Sequence, residues 1–412
     1  MSEPGALPAF AGYGIELEYM IVDRQSLAVR PSAPEILPAL RARAATTPMS
    51  VRLDWSNELV AHVVETKNVA PTAALGSLQQ CFAQAVRDAN AQLEPLDARL
   101  MPTAMHPWMN PATETVLWDD ATDIYRTYDR IYDCRGHGWA NLQSMHVNLP
   151  FADDAQFARL HAAIRLVLPL LPGLAASSPI ADGAVSPFLD FRLDAYYAIC
   201  ASTPSVAGDV VPETVGSRAE YHARILAPMY DEIAPLDPAG VLRYEWLNSR
   251  GAIARFDRHA IEIRVIDVQE CPLADLSIAA AVINVIRWLY DERSASLVDQ
   301  QALDTSRLAR ILRATIRDAD EAVVDDVPYL RALGIHAARC SAADVWRAVL
   351  DASASDESLT GAPWRPALDV ILQRGPLARR ILRATGAHPT RQALHNVYAS
   401  LCECLQRNTL FG

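Results

Sequence analysis

Glu16 and Glu18 stand two residues apart in GIELEYMIVD, Gly14 to Asp23, a stretch whose alternation predicts a β-strand. Side chains alternate sides along a strand, so Ile15, Leu17, Tyr19 and Ile21 line one face and both acids the other. At a rise of ~3.3 Å per residue the acids are ~6.6 Å apart, and like charges that close repel unless water or a cation intervenes. The pattern recurs in LQSMHVNLPF (142 to 151), where Ser144, His146 and Asn148 oppose Met145, Val147 and Leu149. In AIEIRVID (260 to 267), Glu262 and Arg264 oppose Ile261, Ile263 and Val265. NELVAHVVET (57 to 66) alternates too and carries Glu58 and Glu65. A sheet with one solvated face gives the same alternation, but it would fill the outward positions mainly with Thr, Lys, Ser and Gln. Carboxylates with one imidazole suit a hard dication, Mg2+ or alternatively Mn2+, which would cancel the repulsion between Glu16 and Glu18.

These strands need a scaffold. Leu78, Cys81, Phe82, Ala85, Val86 and Ala89 recur at helical spacing after Ser77, an expected N-cap. Phe157, Leu160, Ile164, Val167, Leu168 and Leu171 do so after Asp153 and Asp154, with Pro169 and Pro172 expected to kink or end that helix. Further helices are expected near Ser277 to Tyr290, Ser306 to Val323, Ala343 to Leu350 and Arg391 to Leu405. The pattern predicts an α+β fold in one catalytic domain, 1–412, mixed in 1–273 and mainly helical in 274–412. No internal repeat or long linker forces a cut.

With 412 residues, 51% of them hydrophobic and 21% charged, the chain falls among ordinary globular proteins. A net charge of -12 repels phosphate backbones and anionic headgroups, so neither nucleic acid nor a membrane surface is an expected partner. The seven cysteines are scattered without CxxC spacing, which suggests reduced thiols and a cytoplasmic protein. No signal peptide and no apolar run able to span a bilayer are expected. P-loop, GxGxxG, HExxH and GxSxG motifs are absent, so phosphate binding would rest on metals and on arginines such as Arg250 and Arg255 in NSRGAIARFD. His106 and His137 sit in turn-like surroundings and read as surface groups, His161 as a structural one.

Four ordered segments, GIELEY, NELVAHVVETKNVAP, SMHVNLPF and SRGAIARFDRHAIEIRVIDVQ, resemble the glutamate-cysteine ligase and carboxylate-amine ligase family of the glutamine synthetase superfamily. The resemblance covers roughly Gly12 to Tyr290. It implies a curved antiparallel sheet whose concave polar face holds the site, with helices behind. By position it implies metal ligands Glu16, Glu18, Glu58, Glu65, His146 and Glu262. It implies nucleotide contacts from Arg250, Arg255, Arg264 and Asn148, with Arg255 and Arg264 catalytic. Many relatives read His-x-His where this chain has His146-Val-Asn148. Glu58 and Glu65 differ by an odd number, so either a bulge intervenes or Glu58 precedes the strand.

The activity so implied is ATP-dependent amide formation through an acyl phosphate, joining an amino-acid carboxylate such as glutamate to an amine such as cysteine. A homodimer is left open. One rival is a metal-dependent hydrolase using the same cluster without ATP; another is a metal-free glycosidase, insensitive to EDTA. A third is a member that binds metal or nucleotide without turnover. Arg192, Tyr196 and Tyr197 are further candidates for substrate contact, though helical packing explains them equally.

Overall fold

The computed structural model describes residues 6–119, 123–354 and 364–412. Its strands are β1 (Gly14–Asp23), β2 (Leu53–Asn57), β3 (Val63–Asn68), β4 (Ala98–Met101), β5 (Ser144–Pro150), β6 (Ile180–Ala181), β7 (Ala184–Val185), β8 (Ala252–Arg255), β9 (Ala260–Asp267), β10 (Val323–Val324) and β11 (Cys340–Ser341). The main sheet runs β2-β3-β1-β5-β9-β8, antiparallel throughout, and β4 pairs with the far end of β1 from Met20 to Asp23, beyond the reach of β5. Pairs β6-β7 and β10-β11 stand apart.

Alternation dictates what lies behind the sheet. Ile15, Leu17, Tyr19 and Ile21 of β1, Met145, Val147 and Leu149 of β5, and Ile261, Ile263 and Val265 of β9 share one buried cluster with the helices Leu75–Leu93, Asp154–Val167 and Pro272–Tyr290. Each such side chain contributes about 1.5–3 kcal/mol by leaving water, which holds the polar face rigid from behind. Two helical stretches, Asp154–Ala175 and Pro272–Tyr290, are long and apolar enough to span a bilayer, contrary to the expectation from the sequence. Both are mostly buried in this core, which explains their apolarity.

Details of the helices follow local chemistry. The helix Leu75–Leu93 starts ahead of the expected cap, with Ala74 N–H donating to Thr72 Oγ1 at 3.1 Å and Ser77 inside its first turn. Asp153 does cap its helix, accepting from Gln156 N at 3.0 Å. Asp153→Ala is expected to lower stability by about 1 kcal/mol in chemical unfolding. At Pro169 the chain tightens into a 3-10 turn, Leu168–Leu170, and continues as Leu171–Ala175. In the C-terminal part the helices Thr305–Asp318, Ala342–Ser353 and Arg391–Arg407 lie near their expected positions, but β10-β11 interrupts them.

NELVAHVVET is not one strand. β2 ends at Asn57 and β3 begins at Val63, so Glu58 stands in the connection between them. That resolves its odd spacing from Glu65: no bulge is needed there. A bulge does occur between β5 and β9, where Met145 faces Ile266 but Val147 faces Ile263.

Candidate active site

Register brings the ligand-type groups into a row across four adjacent strands. Glu18 of β1 faces Glu65 of β3, Glu16 faces Lys67 on one side and His146 of β5 on the other, and Asn148 faces Glu262 of β9. Glu16 Oε2 is 3.6 Å from His146 Nδ1, Glu18 Oε1 is 3.6 Å from His146 Nε2, and Glu262 Oε1 is 3.8 Å from Nδ1. Smaller partners orient the acids. Ser144 donates to Glu18 Oε2 from its backbone N–H at 2.6 Å and from Oγ at 3.1 Å, and Asn148 Nδ2 donates to Glu16 Oε1 at 3.0 Å. Gly14 lies opposite Asn148, and a Cβ there would come within 3.0 Å of the Asn148 Cβ, so the glycine leaves room for that amide. Ser56 Oγ donates to Glu65 Oε1 at 2.6 Å.

Two overlapping triads emerge. Ligand atoms of Glu16, Glu65 and His146 lie within 4.8 Å of one another, and so do those of Glu18, Glu58 and Glu65. Burial and the Glu16 charge push Glu65 up to about 8. Burial and the Glu65 charge raise Glu58 well above the usual carboxylate range. Burial opposes a charged His146, yet its hydrogen bond to Glu16 and the charges of Glu18 and Glu262 push it up to about 9. Burial works against the Glu16 carboxylate as well, but His146 and Lys67 hold it well below its ordinary value. Burial and mutual repulsion thus disfavour charge on Glu58 and Glu65 even with Lys67 beside them, and oxygen donors with one imidazole match a hard dication.

Lys67 was not anticipated from the sequence, although it follows Glu65 by two residues on the same strand. Its Nζ ion-pairs with Glu65 and lies 3.9 Å from Glu16 Oε2. At the other end of the row, Arg264 donates to Glu262 Oε1 from Nε at 3.1 Å and from a terminal nitrogen at 2.7 Å, while Arg255 donates to Oε2 at 3.2 Å. The structure does not bring Arg250 to the row. Its guanidinium grips Glu213 at 2.6 and 2.7 Å and donates to Ser205 O at 3.0 Å, tying the short helix Pro204–Ala207 to the segment that carries Glu213.

Two cavities open at opposite ends of the polar face along β1. One, about 540 Å3, meets Gly14, Glu16, Lys67, Asn148 and Arg258. The other, about 230 Å3, meets Glu18, Glu58, His146, Arg192, Tyr196 and Arg264, with an aromatic wall from Tyr125, Tyr128 and Trp139. Tyr197 lies elsewhere, its ring under the Arg313 guanidinium at 3.5 Å. His106 is a buried group rather than a surface one, with Nε2 2.8 Å from Leu27 O, and burial lowers it to about 3. His161 is buried within its helix, as expected of a structural residue.

The model of glutamate-cysteine ligase family 2 matches residues 13–403. An uncharacterized protein of Archaeoglobus fulgidus is 31% identical over 317 residues, covering 75% of this chain and 85% of its own. A putative glutamate–cysteine ligase 2-1 of a Nocardioides species is 28% identical over 287 residues, 68% of each chain. Among solved structures, the glutamate–cysteine ligase of Francisella tularensis in complex with AMP is similar with a TM-score of 0.59 at 13% identity, over 96% of this chain and 88% of that one. A bifunctional glutathione synthetase from Pasteurella multocida gives 0.57 at 13% identity, over 97% of this chain and 52% of that one. At such identities these two structures bear on the fold alone, which in this chain is a polar-faced antiparallel sheet backed by helices.

Proposed function

We propose a function from one premise: the chain belongs to glutamate-cysteine ligase family 2. Family membership makes it a ligase, and our finer reading is an ATP-dependent carboxylate-amine ligase that forms a γ-glutamyl-type amide through an acyl phosphate. The observation that carries it is the row from Glu65 through Glu16, Glu18 and His146 to Glu262, with a separate cavity on either side of it along β1.

Forming an amide in water is uphill, so the acid must first take the γ-phosphoryl of ATP, and the protein's share of that step is positioning and charge neutralisation. Glu16, Glu65 and His146 would hold one Mg2+ and Glu18, Glu58 and Glu65 a second, with Glu262 closing the row. When bound, the ions supply Lewis-acid neutralisation of phosphate and carboxylate oxygens. Glu262 fixes Arg255 and Arg264 by ion pairs, and Arg264 faces the smaller cavity, where it would meet charge developing on the transferred group. The larger cavity would take the nucleotide, with Lys67 and Asn148 at its inner end; the smaller would take the organic substrates. Arg250, held by Glu213 and the Ser205 carbonyl, has no phosphate contact in this reading.

The test is ADP release with Mg2+, glutamate and a panel of amines, with mass spectrometry of the product. ADP is expected only when acid, amine and Mg2+ are all present, with a product heavier than the acid by the amine less one water. Turnover of an amide without nucleotide would replace this reading with the hydrolase.

A further inference from the structure

We propose that the 230 Å3 cavity is the acceptor subsite, that Arg192 reads the acceptor's carboxylate, and that the acceptor is an α-amino acid with an aromatic or branched apolar side chain. This rests on the ligase reading above and adds to it the chemical class of the amine.

Arg192 is 2% exposed, near the start of the helix Phe191–Ala198. Its Nε donates to Asp267 Oδ1 at 2.5 Å, and Asp267 is itself fixed by Ser177 N at 2.8 Å and Ser178 Oγ at 3.1 Å. The guanidinium therefore cannot turn away. One of its terminal nitrogens is buried with no hydrogen-bond partner among the described residues, and Arg192 lines this cavity. Arg192 carries its positive charge at the cavity, and an anionic oxygen placed there would be drawn to it.

The other surfaces narrow the ligand. The floor is Glu18, Glu58 and His146, the side from which an amine would reach an activated carboxyl group. The wall is aromatic, and its rings run outward in contact: Trp139 to Tyr128 at 5.3 Å, Tyr128 to Trp246 at 6.0 Å, and Trp246 to Tyr244 at 5.6 Å and 10° between planes. Tyr244 is 58% exposed, so the series begins at the surface and ends in the cavity. An amine at the acidic floor, a carboxylate at Arg192 and an apolar body along the rings together describe such an amino acid. Nothing on that wall selects a thiol.

Calorimetry of L-phenylalanine, 2-phenylethylamine and L-cysteine, with the chain alone and with Mg2+ and a non-hydrolysable ATP analogue, tests this. Phenylalanine should bind roughly 10- to 100-fold more tightly than 2-phenylethylamine, the worth of a charge-assisted hydrogen bond. In Arg192→Lys, which keeps the charge beside Asp267 but lacks the second donor arm, that ratio should fall towards one. Trp139→Leu, which leaves Arg192 intact, should weaken phenylalanine and spare cysteine. Absence of phenylalanine binding in both conditions, equal binding of the decarboxylated amine to the unaltered chain, or cysteine binding as tightly as phenylalanine would overturn the proposal. If these ratios hold but no acid and amine pair releases ADP, the ligase reading fails and the subsite stands. ADP release with cysteine that Trp139→Leu leaves unaffected, without phenylalanine binding, would remove the subsite and leave the ligase reading standing.

Discussion

Glu65→Gln is expected to reduce Mg2+-dependent ADP release by roughly 10^3-fold or more, about 4 kcal/mol of transition-state stabilisation, while the chain stays folded. Glu65 belongs to both ligand triads, so one substitution weakens both proposed ion sites. Glutamine is isosteric, and its carbonyl oxygen can still accept from Ser56 and Lys67. What it loses is the charge, which burial and the neighbouring Glu16 already disfavour. Thermal stability in EDTA should therefore be unchanged or raised, and that pairing of lost activity with retained stability separates a ligand from a structural acid. Full ADP release with ordinary Mg2+ dependence in Glu65→Gln would remove Glu65 from the site.

In EDTA, stability should fall as pH rises from about 5 to 9, and Mg2+ should restore more of it at pH 9 than at pH 6. Glu65 titrates near 8 in the folded chain against an ordinary 4.5, and His146 near 9 against 6.5. Between those values the native state holds protons that the unfolded chain has released, so each group contributes a downward slope of about 1.4 kcal/mol per pH unit within its window. His146's contribution is fully present below 6.5 and is lost as pH passes 9. Glu16, held well below its ordinary value, has the opposite sign: its contribution is present above 4.5 and is lost only on acidification. A dication competes with the protons on Glu65 and His146, so its binding tightens with pH and reverses the trend. Thermal unfolding across pH, with and without Mg2+, reads both effects; a flat EDTA profile, or equal Mg2+ stabilisation at both pH values, would contradict the assignment.

Much of the polar face was legible in the sequence, because a strand's period of two separates its faces at once. Glu16, Glu18, His146 and Glu262 could be placed on outward positions from spacing alone, and the structure brings all three acids to within 3.8 Å of that histidine. Lys67 carried the same signal, two residues beyond Glu65. The aromatic wall carried a weaker one, since Tyr125, Tyr128 and Tyr132 recur at helical spacing within Asp123–Tyr132. Other features had no local signature. Arg250 finds Glu213 37 residues away, and only the fold shows that this acid consumes its charge. Two-residue strands such as β10 and β11 are too short to produce a period. The split of NELVAHVVET into β2, a connection and β3 was detectable only as the parity conflict between Glu58 and Glu65.

The strand order has a consequence in time. β1 is made early, but its partner β5 lies far downstream: Ser144 and Glu18 are 126 residues apart in the chain. At about 5–20 residues per second of synthesis, that edge of β1 waits roughly 6–25 s for its mate. An unpaired edge with an apolar face is a template for joining another nascent chain, and charges on the strand oppose such joining. Glu16 and Glu18, the acids that line the site in the finished protein, thus also guard β1 against self-association while it waits.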